Sequence, residues 1–299
     1  LSEREAGIVF VGKPYFEVNK RPGRFKDLFG VDLTSRMTRV QDETELKEVL
    51  RANEKPMIVY CDPLESYSNC GVRDIDSIII SAQEYEKRTG QKCYLIFDIT
   101  TCAGMFPRFD QLEKRLGKLP NIIAAQSLLK YWEWGSDLTQ IGAIIVGGPD
   151  AAPNGPLYNT IMKYYYFMHS DPDIGSLAEV PPIRSDYMQF RADRISRNLR
   201  LATKLLGESI EMEGISNFGI RTHRESQDTK ELIEKIGFVG PYFFIECPSG
   251  ETAGKITATL EQTPHESLGS IDIGVSFGFD HTRAWRVGST RFIRVTVGR

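Results

Sequence analysis

Long apolar runs, clustered cysteines and a dominant charge are all scarce in this chain, and each scarcity removes a class of protein. No apolar stretch approaches the ~20 residues that a membrane-spanning helix needs, so no membrane role is expected. Five cysteines stand singly, at Cys61, Cys70, Cys93, Cys102 and Cys247. An odd count without CxxC spacing argues against a disulfide framework and against a zinc knuckle, and free thiols suit a reducing, cytoplasmic setting. The four histidines, His169, His223, His265 and His281, lie too far apart to form a metal motif. Lys and Arg number 37 against 40 Asp and Glu. A formal charge of −3 gives no electrostatic case for a nucleic-acid partner. No internal repeat, low-complexity tract or signal-peptide pattern is visible. The chain starts at Leu1 without an initiator Met and ends just after a strand-like run, so it is expected to be part of a longer polypeptide.

What is present is a globular composition, 299 residues of which 41% are hydrophobic and 26% charged, enough for a large core and two domains. Apolar runs at 8–11, 56–61, 93–97, 122–126 and 141–146 read as short strands without alternation, buried on both faces. Helical stretches intervene. One opens at Asp42 and carries Leu46, Val49 and Leu50; another is capped by Asp74, carries Ile75, Ile78, Ile79 and Ala82, and stops at Gly90. Residues 25–29 read as a further short helix. Alternation of this kind predicts an α/β layer with a largely parallel sheet.

After the turn-rich Gly147–Pro156 segment come a helix over 160–169, with the aromatic run Tyr164-Tyr165-Tyr166-Phe167 expected in the core or at a subunit interface, and a long helix from Ser185 that ends near Gly207. The remainder reads as a smaller α+β domain, with strands at 240–247, 271–276 and 292–297 and a helix at 252–262. The expected division is 1–182 and 183–299.

In parallel sheets functional groups gather at the carboxyl ends of strands. Tyr15, Asn69, Asp98 and Lys130 all follow strand-like runs closely. A carboxylate at one strand end and a lysine at the next suit one chemistry: the carboxylate keeps a pyridinium nitrogen protonated, and the lysine forms a Schiff base with an aldehyde cofactor, pyridoxal 5'-phosphate (PLP).

The order of features resembles the Cys/Met-metabolism family of PLP-dependent enzymes, of fold type I, which includes cystathionine γ-synthase, cystathionine γ-lyase, methionine γ-lyase and O-acetylhomoserine sulfhydrylase. The likeness rests on Tyr15 after the first strand, Ser68-Asn69, Asp98-Ile99-Thr100, Ser127-Leu128-Leu129-Lys130-Tyr131, Ser276-Phe277-Gly278 and Arg294-Val295-Thr296-Val297-Gly298. It implies PLP as cofactor, with Lys130 as the Schiff-base lysine, Asp98 (with Thr100 in the same motif) on the pyridinium and Ser127 on the phosphate. It further implies Asn69 near the phenolic oxygen, and Tyr15 stacked on the ring and able to move protons. Arg294, with Ser276, would clamp a substrate carboxylate. It implies a homodimer or homotetramer with shared active sites, and a small-molecule amino-acid substrate.

Several positions depart from the family pattern. Cys70 stands where the family has Pro, and Leu129 replaces a small hydroxyl residue. Trp132-Glu133-Trp134 replaces the usual segment after the lysine, and the family's phosphate-binding loop and N-terminal arm would precede Leu1. The expected activity is elimination or replacement at a side-chain-substituted amino acid, with the substituent expected at the γ position. Two other readings stay open: a catalytically inactive homologue serving as a binding or assembly subunit, and an aminotransferase or β-lyase of the same fold.

Overall fold

A computed structural model describes residues 6–15, 18, 26, 32–66, 70–102, 106–127, 142–167, 185–212, 217–223, 240–263, 271–273 and 282–297. Six strands form the first sheet: β1 (Gly7–Val11), β2 (Met37–Val40), β3 (Met57–Cys61), β4 (Cys93–Asp98), β5 (Asn121–Ser127) and β6 (Gly142–Gly147), in the order β2-β1-β3-β4-β5-β6. The first five run parallel, and β6 is antiparallel to β5. The carboxyl ends of β1, β3, β4 and β5 therefore share one edge of the sheet.

Between the strands lie α1 (Glu43–Arg51), α2 (Ile75–Thr89) and α3 (Phe109–Leu116). The expected caps are formed. The Asp42 side chain accepts from the Thr44 and Glu45 amides, and the Asp74 side chain from those of Asp76 and Ser77. Each such cap contributes about 1 kcal/mol. Gly90 ends α2 in the left-handed region at φ 68°, where an L side chain would be strained. Ile75, Ile78, Ile79, Ala82 and Tyr85 of α2 are buried beside Val59, Leu95 and Ile122 in the main core cluster. The short helix expected at 25–29 falls almost entirely outside the described residues.

Two expectations need correction. First, β6 is not covered on both faces: Ile144 and Ile145 are 59% and 50% exposed. It closes the sheet as an antiparallel edge strand, and one apolar run cannot report how many neighbours a strand has. Second, the long helix α5 (Ser185–Met212, after α4 at Pro156–Phe167) does not stop at Gly207. A glycine inside a helix costs about 1 kcal/mol, which is not enough to end 28 residues of helix. Its buried side is Arg191, Ala192, Ile195, Ser196 and Leu199, while Phe190, Leu201 and Leu205 are exposed. In α4 Tyr164 is also exposed and Tyr165 only half-buried, so neither is core.

The second sheet has the order β7-β8-β11-β10-β9, from β7 (Gly219–Arg221), β8 (Tyr242–Glu246), β9 (Ile271–Ile273), β10 (Thr282–Arg286) and β11 (Phe292–Thr296). It is antiparallel except for the β9–β10 pair. Helix α6 (Gly250–Gln262), capped by the Ser249 side chain, packs on it through Ala253. Tyr242 and Phe244 of β8 join the same apolar cluster as the first sheet.

All five cysteines are buried, and no group of metal-ligating side chains occurs among the described residues. No helix among them is long and apolar enough to cross a membrane.

Candidate active site

The strand register builds the site. Cys61 of β3 pairs with Phe97 of β4, so the next residues out, Asp62 and Asp98, come opposite each other at the sheet edge. Asp98 is gripped from two sides. Its Oδ1 accepts from the Thr100 amide at 3.0 Å, and its Oδ2 accepts from the Tyr60 hydroxyl at 3.3 Å. Thr100 begins a 3-10 turn (Thr100–Cys102), and its Oγ1 accepts from the Ser127 amide at 3.0 Å. The ends of β3, β4 and β5 are thus tied by side chains beyond the backbone ladder.

Asp62 connects this cluster to the loop after β1. Its Oδ2 accepts from the Tyr15 amide at 2.8 Å. The Tyr60 phenol acts on Asp62 as well as on Asp98. Asp62 is 3% exposed, and its Oδ1 has no hydrogen-bond partner among the described residues. Burial first, and the Asp98 charge second, push its carboxyl well above the usual carboxylate range. The Tyr60 hydroxyl is pushed up by burial and then by the two carboxyls.

Arg294 comes from the other sheet. It is 4% exposed, lies opposite Trp285 across the β10–β11 ladder, and its guanidinium carbon stands 5.2 Å from the Trp285 ring centroid. Burial lowers its pKa, while Tyr242 and Tyr15 act in the opposite direction. An arginine keeps its charge under these conditions. The electrostatic contact with Tyr15 brings Arg294 to the same side as the strand-end cluster.

Of the predicted site residues, Tyr15, Asp98, Thr100, Ser127 and Arg294 therefore lie on one connected set of contacts. Asn69, Lys130 and Ser276, and the Trp132-Glu133-Trp134 segment, lie outside the described residues. Sequence reasoning missed Tyr60, Asp62 and Glu65. The signal for Asp62 was the one used for Asp98: an acid directly after an apolar strand.

Glu65 is fully buried. Its carboxylate pairs with Arg73 and accepts from the Lys13 amide at 3.0 Å. Its carbonyl accepts from the Tyr242 hydroxyl at 2.8 Å and lies 3.2 Å from His223 Nε2. A Cβ on Gly12, at φ 71°, would overlap this carboxylate, which is why glycine is required there.

No family model matches the chain, and no curated protein matches it in sequence. Solved structures do match, at low identity, and the likeness is one of fold. The O-acetylhomoserine sulfhydrylase of the methionine biosynthetic pathway of Wolinella succinogenes is 14% identical, with a TM-score of 0.63 over 98% of this chain and 80% of its own. TDC of Oryza sativa, solved with PLP and tryptamine, is 11% identical with a TM-score of 0.54, over 98% of this chain and 56% of its own. An aspartate aminotransferase of Rhodobacter sphaeroides is 12% identical with a TM-score of 0.51, over 98% of this chain and 65% of its own.

Proposed function

We propose that the chain is a PLP-dependent enzyme of amino-acid metabolism that acts on a side-chain-substituted, γ-substituted amino acid by elimination or replacement, with the cofactor held through the Lys130 amine. The observation that carries this reading is Asp98, a carboxylate at the end of a central parallel strand whose two oxygens are fixed by the Thr100 amide and the Tyr60 hydroxyl.

The residues present fit the group. A pyridinium nitrogen needs an oriented anion, and two donors aimed at Asp98 fix its orientation while leaving lone pairs for a third partner. The fold is one whose solved members include PLP-bound enzymes.

PLP, when bound, supplies an electron sink for the substrate Cα. The chain supplies the rest. Asp98 accepts the hydrogen bond of the ring nitrogen. Ser127 and Asn69 are assigned to the phosphate and the phenolic oxygen. Arg294 presents a planar fork to the substrate α-carboxylate, helped by Ser276, and so orients the Cα–H bond. The Lys130 amine would move the Cα proton, and Tyr15 would help hold the cofactor and serve as acid for the leaving group. The Trp132-Glu133-Trp134 segment shapes the pocket, and elimination and replacement differ in whether it admits a nucleophile. The roles of Asn69, Lys130 and Ser276 rest on the order of motifs along the chain.

In the same reading residues 1–182 are the later part of the large PLP-binding domain and 183–299 the long helix and smaller domain. The protein works in the cytoplasm as a homodimer or homotetramer with shared sites.

The test is a visible spectrum of the chain with excess PLP, for wild type and Lys130→Ala. An absorption band that borohydride bleaches, with label on the Lys130 peptide and none in the variant, is expected. γ-Substituted amino acids should then release a keto acid and ammonia, or exchange their substituent when a thiol is supplied. A wild-type chain that shows no band with excess PLP sinks the reading.

A further inference from the structure

The paired strand-end acids are the feature that the proposed function leaves unexplained. A cofactor nitrogen needs one carboxylate, yet two stand opposite each other here. We propose that Asp62 is a positioning residue that carries a proton in the native chain, so that the pair holds a single negative charge on Asp98 while Asp62 fixes the Tyr15 loop and, through Tyr60, the orientation of Asp98. This inference rests on the proposed function where it concerns the cofactor and stands apart from it where it concerns Asp62.

Three geometric facts support it. Asp62 is 3% exposed, and one of its oxygens has no donor among the described residues. A buried carboxylate oxygen without a donor is costly when ionised and far less so as a neutral carboxyl. The partners of the other oxygen do not require charge: a backbone amide at 2.8 Å from Tyr15 is satisfied by a neutral carboxyl. Finally, Tyr60 has one hydroxyl proton for two acids. It donates to Asp98 at 3.3 Å, so a hydrogen bond that it shares at the same time with Asp62 needs the proton of a neutral Asp62 carboxyl.

The titratable and charged groups that act on Asp62 or feel it are Asp98, Tyr60, Glu65, Cys61, Cys102 and Tyr242. Asp98 and Glu65 disfavour a second charge when ionised, burial holds Tyr60, Cys61, Cys102 and Tyr242 neutral, and the Tyr60 and Tyr15 hydrogen bonds act the other way, more weakly than burial. Burial and the Asp98 charge act on Asp62 in the same direction.

The first measurement needs no cofactor. Denaturant unfolding of the chain without PLP is followed for wild type and Asp62→Asn from about pH 5 to about pH 8. An acid with a raised native pKa releases its proton on unfolding, so it weakens the fold as pH rises from the ordinary carboxylate value, ~3.9, toward the native one. Asn does not titrate, and the other groups are common to both chains. The folding constant of Asp62→Asn should therefore gain on wild type with pH, by up to about tenfold per unit. A difference that is flat, or that falls with pH, means an ionised Asp62 and overturns the charge assignment.

The second measurement is PLP affinity by equilibrium dialysis, with the visible spectrum, for Asp62→Asn, Asp62→Ala and Tyr60→Phe. Asp62→Asn, which keeps the shape of a neutral carboxyl, should bind within about threefold of wild type. Asp62→Ala should lose about tenfold or more, with Tyr60→Phe between them. Equal binding by the Asn and Ala variants overturns the positioning role. If wild type binds no PLP and the pH-dependent gain is present, the charge assignment holds and the proposed function is what fails.

Discussion

Two buried carboxyls, Asp62 and Glu65, stand three residues apart on one loop in opposite surroundings. Glu65 faces the Arg73 guanidinium, takes the Lys13 amide, and holds the second sheet through its carbonyl. Asp62 has the Tyr15 amide, the Tyr60 phenol nearby and a second acid opposite. The difference separates two uses of burial. A charge with its counter-charge closes a structure, whereas an acid set against another acid leaves electrostatic stress at the place where a ligand would be held.

The largest effect should come from breaking the closed side. Glu65→Gln removes the carboxylate paired with the largely buried Arg73, whose side chain is 11% exposed, and leaves it the Glu43 charge farther off. It should cost about 3–5 kcal/mol of unfolding free energy, read from the urea midpoint at constant m. Asp62→Asn, which does not titrate, should cost under about 1 kcal/mol at about pH 5 and less at neutral pH. Equal losses at the two positions would erase the distinction.

Next is the chemical side. Asp98→Asn should lower PLP-supported turnover on the order of 10²–10³-fold, because an amide cannot keep the ring nitrogen protonated. The unfolding midpoint should move little, since the Asn oxygen still accepts from the Thr100 amide and its NH2 can donate to the Tyr60 hydroxyl oxygen in place of the bond that Tyr60 donates to Asp98. A variant that unfolds would place Asp98 with Glu65 as a structural acid. Arg294→Lys should cost about 1.5–3 kcal/mol of substrate binding, seen as a raised KM with kcat less affected, because an ammonium cannot reproduce the fork.

The contrast also shows what the residues reveal in order along the chain and what they conceal. Asp98, Thr100 and Ser127 were readable because each closes or follows an apolar strand, and the register then brings them together as parallel neighbours. Tyr60 and Asp62 follow the same rule, yet Tyr60 looks like one more apolar strand residue and Asp62 like the first residue of a turn. Their role appears only when β3 is laid beside β4. The hold of Glu65 on His223 and Tyr242 spans 158 and 177 residues of chain, a range that no local pattern encodes. The exposure of β6, and of Phe190, Leu201 and Leu205, was hidden for a related reason: hydropathy reports which residues avoid water, not which find cover. Strand β10 was passed over because Thr282-Arg283-Ala284-Trp285-Arg286 is half charged, and it forms by pairing with β11 rather than by burying a run of its own.

That strand yields the smallest and most selective prediction. Trp285 presents its ring to the Arg294 guanidinium carbon at 5.2 Å, from the directly opposed ladder position. A cation over an aromatic face gains about 0.5–1 kcal/mol when exposed and about 2 when desolvated, and Arg294 is desolvated. Trp285→Leu keeps an apolar strand residue and removes the ring quadrupole. If the ring orients Arg294 toward substrate, KM should rise about two- to tenfold with kcat retained, and the effect should vanish when Arg294 is already Ala. A loss of the same size in both backgrounds would make Trp285 ordinary packing. Arg294 would then owe its position to β11 alone, and the second sheet would contribute one residue to the site without a support of its own.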